Sequence, residues 1–452
     1  SFWWLFACTT LLEQSNFGLM LLWTFRRSVS CRRSSRRHTA RHPLSGSFGS
    51  ARRCAATVLQ ELTIEQLQRR FIRLKRLLGK LRWPAITHFQ AFGEQHQLPW
   101  PVRSSSEVLK EPTLDELAYM SGFFDGDGCV SPTTNLSGCQ LFLTQSSEHG
   151  EALFLFHQVF GGSIMADKRG IGSQRPVIRW SLHGQTARKA AALLSKASYV
   201  KRAQLQIAAE WPSCKTQREK VAITMSALKR SSQPPEGAGC SWPCVAGFFD
   251  ADGHMGISAV GSGIVLGFTQ KHASILEIIR EFLAQEGYID GIGMEHKSTL
   301  CRLAVYRSKL SHTILEHMIA AGMIVKRSAA EVVLKTNYSN YLRSRVELAC
   351  LVGHQGRYIR LDEHGCQRVK QLASLRSKLR YLTSRGRFGE RAQFEDELFS
   401  LKQEHSLHNA EASVSLLRQD IRLLLRQGAG VMPFGSRKIL KNTLCIIRKH
   451  LK

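Results

Sequence analysis

Between residues 113 and 340 the spacing of apolar positions changes several times, and each change predicts a new element. Leu114, Leu117, Met120 and Phe124 follow helical spacing. Thr113 and Glu116, three apart and preceded by Pro112, read as the capping box that opens this helix, and Gly128 reads as its stop. Further on, Ser241 before Trp242 and Pro243 predicts a second helix start, with Gly253 as the stop. Residues 255–260 and 264–270 read as strands joined by the turn Gly261-Ser262-Gly263. Strand-like residues 140–145 hold the equivalent place in the first half. Helices are predicted over about 148–160 and 274–285, second hairpins over about 164–182 and 287–306, and further helices over 203–210 and 328–334. Each half therefore reads helix, hairpin, helix, hairpin, helix.

The flanks read differently. Residues 57–82 predict an amphipathic helix, with Ile64, Leu67, Phe71, Leu74, Leu78 and Leu81 on one face and Arg69, Arg70, Arg73, Lys75, Arg76 and Lys80 filling the rest. Pro84, Pro99 and Pro101 then break the chain, and residues 104–106 look like linker. Residues 366–384, 390–405 and 411–428 carry leucine at helical spacing, with Gly386, Gly389 and Pro433 as breakers. Residues 2–25 are rich in Phe, Trp and Leu, but Glu13, Gln14 and Asn16 make them a poor membrane span. Residues 26–53 hold nine arginines, many serines and no acid, which predicts a targeting segment for an organelle, plastid or mitochondrion. The expected division is a targeting, low-order segment over 1–55 and a basic helical extension and linker over 56–110. A first repeat over 111–230, a linker over 231–243, a second repeat over 244–340 and a basic helical C-terminal extension over 341–452 follow.

The two halves are a tandem duplication. Gly122-Phe123-Phe124-Asp125-Gly126-Asp127-Gly128 recurs 125 residues later as Gly247-Phe248-Phe249-Asp250-Ala251-Asp252-Gly253. Asp127 lies 18 residues before Gln145 and 74 before Lys201, and Asp252 stands at the same distances from Gln270 and Lys326. Such register defines the fold unit. Gly122 and Gly126 share one helix face, as do Gly247 and Ala251, so two motif helices packed through these faces would bring Asp127 and Asp252 together. Two carboxylates at helix C-termini repel each other and the helix dipoles, which calls for a cation. An oxygen-only pair suits Mg²⁺ or Mn²⁺ and metal-assisted phosphodiester hydrolysis. Asp125 and Asp250, one turn earlier, read as structural residues of the helix ends.

These motifs resemble the single-chain, two-motif LAGLIDADG homing endonucleases, over about residues 113–340. The resemblance implies an α+β fold of two pseudo-symmetric αββαββα repeats. Their motif helices would pack at a shared interface, and two antiparallel sheets would form a DNA-binding saddle. It implies a monomeric, magnesium-dependent (or manganese-dependent) hydrolase that cuts a long asymmetric double-stranded DNA target. It assigns Asp127 and Asp252, with Gly126 and Ala251, to the metal. Gln145 and Gln270 would order waters and metals, and Lys201 and Lys326 would lie near the scissile phosphate. Alternatives within the same resemblance are an intron RNA maturase and a catalytically inactive DNA binder; both motif aspartates are intact, which disfavours the latter.

Charge modifies the picture mainly through its distribution. Of a formal +28, residues 1–112 (18 basic, 6 acidic) and 341–452 (22 basic, 10 acidic) contribute +12 each, and residues 113–340 (23 basic, 19 acidic) only +4. The flanks thus suit a polyanion, while the repeats must rely on placed charges. Arg175, Arg179 and His183 share a strand parity with Val177, and Arg302 alternates with Leu303. These, with Arg307, are the candidates for reading a DNA groove. The twelve cysteines contain no CxxC pair, which argues against zinc ribbons and a disulfide scaffold.

Overall fold

The computed structural model describes residues 63–100, 111–230, 239–296, 299–352 and 356–431. The expected targeting segment of residues 1–55 and most of the linker between repeats lie outside the described residues. Among the described residues no helix is long and apolar enough to cross a membrane.

An N-terminal region comes first: helix α1 (Ile64–Leu78), the short strand β1 (Leu81–Arg82) and a hairpin of β2 (His88–Ala91) and β3 (Glu94–Gln97). The first repeat runs α2 (Leu114–Asp127), β4 (Gly128–Pro132), β5 (Cys139–Ser146), α3 (Glu151–Phe160), β6 (Ser163–Lys168), β7 (Val177–His183), α4 (Gly184–Leu194), α5 (Arg202–Ala209) and α6 (Lys215–Leu228). The second repeats that order with α7 (Trp242–Asp252), β8 (Gly253–Ile257), β9 (Ile264–Gln270), α8 (Ser274–Gln285), β10 (Ile292–His296), β11 (Cys301–Val305), α9 (Ser308–Ala320), α10 (Arg327–Leu334) and α11 (Tyr341–Leu351). The chain closes with α12 (Glu363–Ser384), α13 (Phe388–Arg426) and β12 (Gly430–Val431). The fold is α+β and both repeats follow the expected helix–hairpin–helix–hairpin–helix order; the expected last helices are α5 and α10, and each repeat has two more, α4 and α6 in the first and α9 and α11 in the second.

Each repeat holds a four-stranded antiparallel sheet, ordered β4-β5-β7-β6 and β8-β9-β11-β10. The strand after each motif pairs in the same way, Gly128 opposite Leu143 and Gly253 opposite Phe268. Alternation decides which face is buried: Leu141, Leu143, Ile178, Trp180 and Leu182 point into the core of the first sheet, and Ile264, Leu266, Phe268, Leu303 and Val305 into that of the second. The opposite face carries Gln140, Phe142, Thr144, Arg179 and Ser181 in one repeat, and His254, Thr269 and Arg302 in the other.

The motif helices α2 and α7 join the repeats. Thr113 forms the expected capping box with Glu116, at 2.9 and 3.2 Å. Ser241 is the N-cap of α7, but its side chain makes no capping bond there; proline in the first turn presets the helix instead. Gly128 and Gly253 do not turn left-handed. Both continue straight into a strand, and glycine stands there because a side chain at either would collide with the ring of Phe124 or Phe249. The small-residue faces meet as expected: Gly122 lies against the carbonyl of Cys244, Gly247 against that of Tyr119, and Gly126 against Ala251. Phe123, Phe124, Phe248 and Phe249 are fully buried on the other sides of the pair, in one core that spans both repeats.

The flanks differ from the sequence reading. Residues 84–100 were expected as broken chain, yet they build the β2–β3 hairpin. Phe89 is buried against Phe154 of α3, and the Gln90 backbone exchanges hydrogen bonds with Ser147 and Gly150, each of 2.8 Å. The expected helices over 390–405 and 411–428 are one continuous α13, and Gly389 is absorbed into its first turn. The first and last of the described segments also meet. Leu67, Leu74, Leu77 and Leu78 of α1 share a separate core with Val414, Leu417, Ile421 and Leu424 of α13, and β1 pairs with β12. This helical module docks on the β6–β7 turn of the first repeat, where Trp83 donates from its backbone to Gly170 and from its ring to Gly172, both at 2.9 Å.

Candidate functional site: paired aspartates at the helix junction

Both motif helices end at the seam between the repeats. Asp127 accepts a 2.6 Å hydrogen bond from Gln145 Nε2, and Asp252 accepts a short one from Gln270 Nε2. The carboxylate of Asp252 lies over Gly126, where an added Cβ would sit 3.0 Å from its Oδ2. The structure therefore brings Asp127, Asp252, Gln145 and Gln270 into one site. Burial and the facing Asp252 push the Asp127 carboxyl up to about 7. Burial also raises Asp252.

Lys201 and Lys326 close the same site from behind. Lys201 Nζ donates to the carbonyls of Phe124 (2.7 Å), Asp125 (2.6 Å) and Gly126 (3.0 Å). Lys326 Nζ donates to those of Phe249 (2.6 Å), Asp250 (2.6 Å) and Ala251 (3.3 Å). Each ammonium thus caps the last carbonyls of a motif helix, where a cation offsets the helix dipole. Both ammonium groups face helix carbonyls. The Gly126 and Ala251 carbonyls, expected to face a metal, accept from these lysines. Electrostatically the lysines act crosswise: Lys326 draws the Asp127 carboxyl down more than Lys201 does, and Lys201 does so more than Lys326 for Asp252. Burial lowers both ammonium groups below the ordinary lysine range.

What fixes the lysines is Asp125 and Asp250, both buried. Asp125 accepts from Ser198 Oγ (2.5 Å) and from the backbone N–H of Tyr199 (2.6 Å) and Lys201 (2.9 Å). Asp250 accepts from the N–H of Ile324 (2.7 Å), Val325 (2.9 Å) and Lys326 (2.8 Å). Its hydroxyl donor comes from the other repeat: Tyr119 OH, at 2.6 Å. The structural role read for these aspartates holds, with the addition that each pins the loop that delivers a lysine. The equal 76-residue spacing of Asp125–Lys201 and Asp250–Lys326 was the available signal for it. Nothing in the sequence pointed to Tyr119 or Ser198.

The residues expected to face DNA divide into two groups. Arg179 lies on the open face of β7, 2.8 Å from Asp167 and over the Phe142 ring. His183 is exposed at the end of the same strand. Arg302 lies on the open face of β11, 3.1 Å from His254 Nε2 and 3.9 Å from Glu295. Burial, then Arg302 and Lys326, depress the His254 imidazole to about 4, so it stays neutral beside them. Arg175 and Arg307 fall outside the strands. Arg175 precedes β7 and pairs with Glu148, and Arg307 is the exposed N-cap residue of α9, 3.8 Å from Asp290. The parity argument does not reach Arg175, because pleat alternation holds only within a strand.

The donor set fits a hard divalent cation. Asp127 and Asp252 offer oxygens only, the ligand type that such a cation prefers. Among the described residues no group of three or more His, Cys, Asp or Glu is placed to hold a metal ion.

No protein-family model and no curated protein matches the chain. Solved structures similar to it are LAGLIDADG meganucleases. The I-LtrWI LAGLIDADG homing endonuclease bound to target DNA aligns at 13% identity and a TM-score of 0.39, covering 53% of this chain and 98% of that one. Meganuclease I-SmaMI bound to uncleaveable DNA aligns at 12% and 0.38, covering 55% and 97%. I-SmaMI bound to an uncleaved DNA target with calcium ions aligns at 13% and 0.32, covering 64% and 98%.

Proposed function

We propose that the chain is a site-specific endonuclease that hydrolyses both strands of duplex DNA at the junction of its two repeats with a divalent metal, Mg²⁺ or Mn²⁺. One observation carries this reading: two Asp–Gln pairs, each backed by a lysine held by a second aspartate, converge on one seam in matching geometry. A structural role for the motif aspartates does not call for a second carboxylate placed so near. Two similar sets of groups suit a substrate with two similar bonds to break, and antiparallel strands supply them.

Asp127 and Asp252 would hold the metal, which when bound lowers the pKa of a water and balances charge on the leaving oxygen. Gln145 and Gln270 orient the carboxylates by donating to their Oδ2 atoms. Lys201 and Lys326 neutralise the helix-end carbonyls, so that the dipoles do not oppose an approaching phosphate. Their crossed influence makes each half of the site a composite of both repeats. The open sheet faces, with Arg179, His183 and Arg302, would lie along the duplex and select sequence through the groove.

The test is incubation of the full chain with a randomised duplex library and Mg²⁺, followed by sequencing of cut ends. Cleavage enriched at one long sequence, lost with EDTA, is expected. Asp127→Asn or Asp252→Asn should abolish double-strand cleavage and leave duplex affinity within a few-fold, since this reading assigns both carboxylates to the metal and neither to the bases. Full double-strand cleavage by either variant would refute the assignment. Absence of duplex binding alongside tight binding to structured RNA would move the chain to the maturase reading.

A further inference from the structure

The open faces of the two sheets carry one arginine each in the same register. Arg179 of β7 stands opposite Thr144, and Arg302 of β11 stands opposite Thr269. Those threonines precede Gln145 and Gln270, which hold the motif aspartates, and they lie 125 residues apart, as the motifs do. The helix seam relates these positions by a two-fold axis: Gly122 meets the Cys244 carbonyl and Gly247 meets the Tyr119 carbonyl, a reciprocal contact of equivalent residues. Each guanidinium is fixed on two sides. An acid of the next strand outward takes one side, Asp167 at 2.8 Å from Arg179 and Glu295 at 3.9 Å from Arg302. An aromatic ring takes the other. The guanidinium carbon of Arg179 lies 4.5 Å from the centre of the Phe142 ring, and Arg302 Nη2 donates to His254 Nε2 at 3.1 Å. Both side chains stay within reach of a ligand on the open face, at 31% and 21% exposure.

The two rings come from different strands. In the first sheet Cys129 of β4 pairs with Phe142 of β5, and the equivalent pair in the second is His254 with Gly267. The large and small partners have changed places. The His254 ring fills the space over Gly267, where an added Cβ would sit 2.5 Å from Cε1 and 2.9 Å from Nε2. Both sheets thus keep a ring beside the arginine, although the copies share neither residue of the pair. An arginine matched by an acid adds little to the attraction of phosphates, and one held on two sides does not swing to follow a backbone. What it keeps is a fork of donors in a fixed direction, the geometry that recognises guanine O6 and N7 in the major groove. We propose that Arg179 and Arg302 each read one guanine, with Phe142 and His254 as their positioning residues, so that the target carries guanines on opposite strands at equal distances from its centre. This rests on the DNA reading above and names a base that its two half-sites share.

The experiment is selection from a randomised duplex library by the full chain, with bound duplexes sequenced in EDTA and cut ends sequenced in Mg²⁺. Aligned sites should show guanine at equal offsets on opposite strands, and the cut ends locate the centre. Arg179→Ala and Arg302→Ala should each relax the preference at one of the two guanines, a different one in each variant, by about tenfold or more. Arg302→Lys keeps the charge and loses the fork, so it should relax the preference nearly as far, and it guards against misfolding of the alanine variant. His254→Ala should relax the same position as Arg302→Ala and no other, whereas a merely structural loss would weaken binding to every duplex alike. His254→Phe, a ring of the kind that serves Arg179, should recover the preference. Selected sites without the paired guanines, or a guanine preference unchanged in the arginine variants, overturn the proposal and leave the endonuclease reading intact so long as both strands are cut. Full preference in His254→Ala, or none in His254→Phe, overturns the positioning role. A chain that neither selects nor cuts duplex overturns both readings.

Discussion

Asp127 and Tyr119 are the residues whose chemistry is most open to measurement. The Asp127 carboxyl sits at about 7 in the folded chain, above its ordinary 3.8, so the folded state binds this proton more tightly than the unfolded one. The stability it contributes is therefore full below about pH 4 and is lost as pH rises through about 7. Asp252 and Asp125 are raised in the same direction. Thermal unfolding in EDTA should show the melting temperature falling between about pH 4 and 7, and Asp127→Asn should make that fall shallower. Mg²⁺ added above pH 7 should raise it again in the parent chain and much less in Asp127→Asn, because only the ionised carboxylate pair binds the cation. Tyr119 donates to a buried carboxylate across the repeat boundary. Tyr119→Phe should destabilise the chain by about 1–3 kcal/mol in urea unfolding, the scale of a buried hydrogen bond to a charged acceptor.

At the scale of elements, the junction of α2 and α7 makes the sharpest demand. A methyl group at Gly122 or Gly247 would meet backbone carbonyl oxygen, which has no rotamer to escape into. Gly122→Ala and Gly247→Ala should each cost about 1–3 kcal/mol or more, seen as a lower melting temperature. Gly138→Ala, with nothing within 4 Å of the added carbon, should stay within about 0.5 kcal/mol of the parent. This contact was legible in the sequence, since small residues four apart in both copies mark a shared face. The hairpin strands were legible from their alternation, and the Asp–Gln pairing from equal spacing. The β2–β3 hairpin was not, because His88–Gln97 contains few apolar residues, and Phe89 finds its partner Phe154 only after folding. The direction of the lysines was equally hidden: a motif shows that a lysine recurs, not which carbonyls surround it.

For the whole molecule, charge and packing led the sequence reading in different directions. Charge made residues 1–112 and 341–452 look like separable basic extensions, whereas their apolar stripes complete each other and the hairpin completes the first repeat. Deleting residues 363–452 should strip Leu67, Leu74, Leu77 and Leu78 of their cover, visible as increased binding of a hydrophobic dye and as self-association. Phe89→Ala should destabilise the chain by about 3–5 kcal/mol, as for other large-to-small changes at a fully buried phenylalanine, and a deletion ending at residue 110 should cost at least as much.

The hydroxyl that Tyr119 sends to Asp250 bears on the history of the duplication. Ser198 serves Asp125 from within the first repeat, but its counterpart in the second is Met323, and the counterpart of Tyr119 is Cys244. Two copies of the second repeat, paired with each other, would leave both aspartates without a hydroxyl donor. Two copies of the first would crowd a tyrosine against an aspartate already served by its own serine. The two halves are therefore not interchangeable at this contact. The dependence runs one way: the first half serves its own aspartate, and the second relies on a hydroxyl that the first supplies.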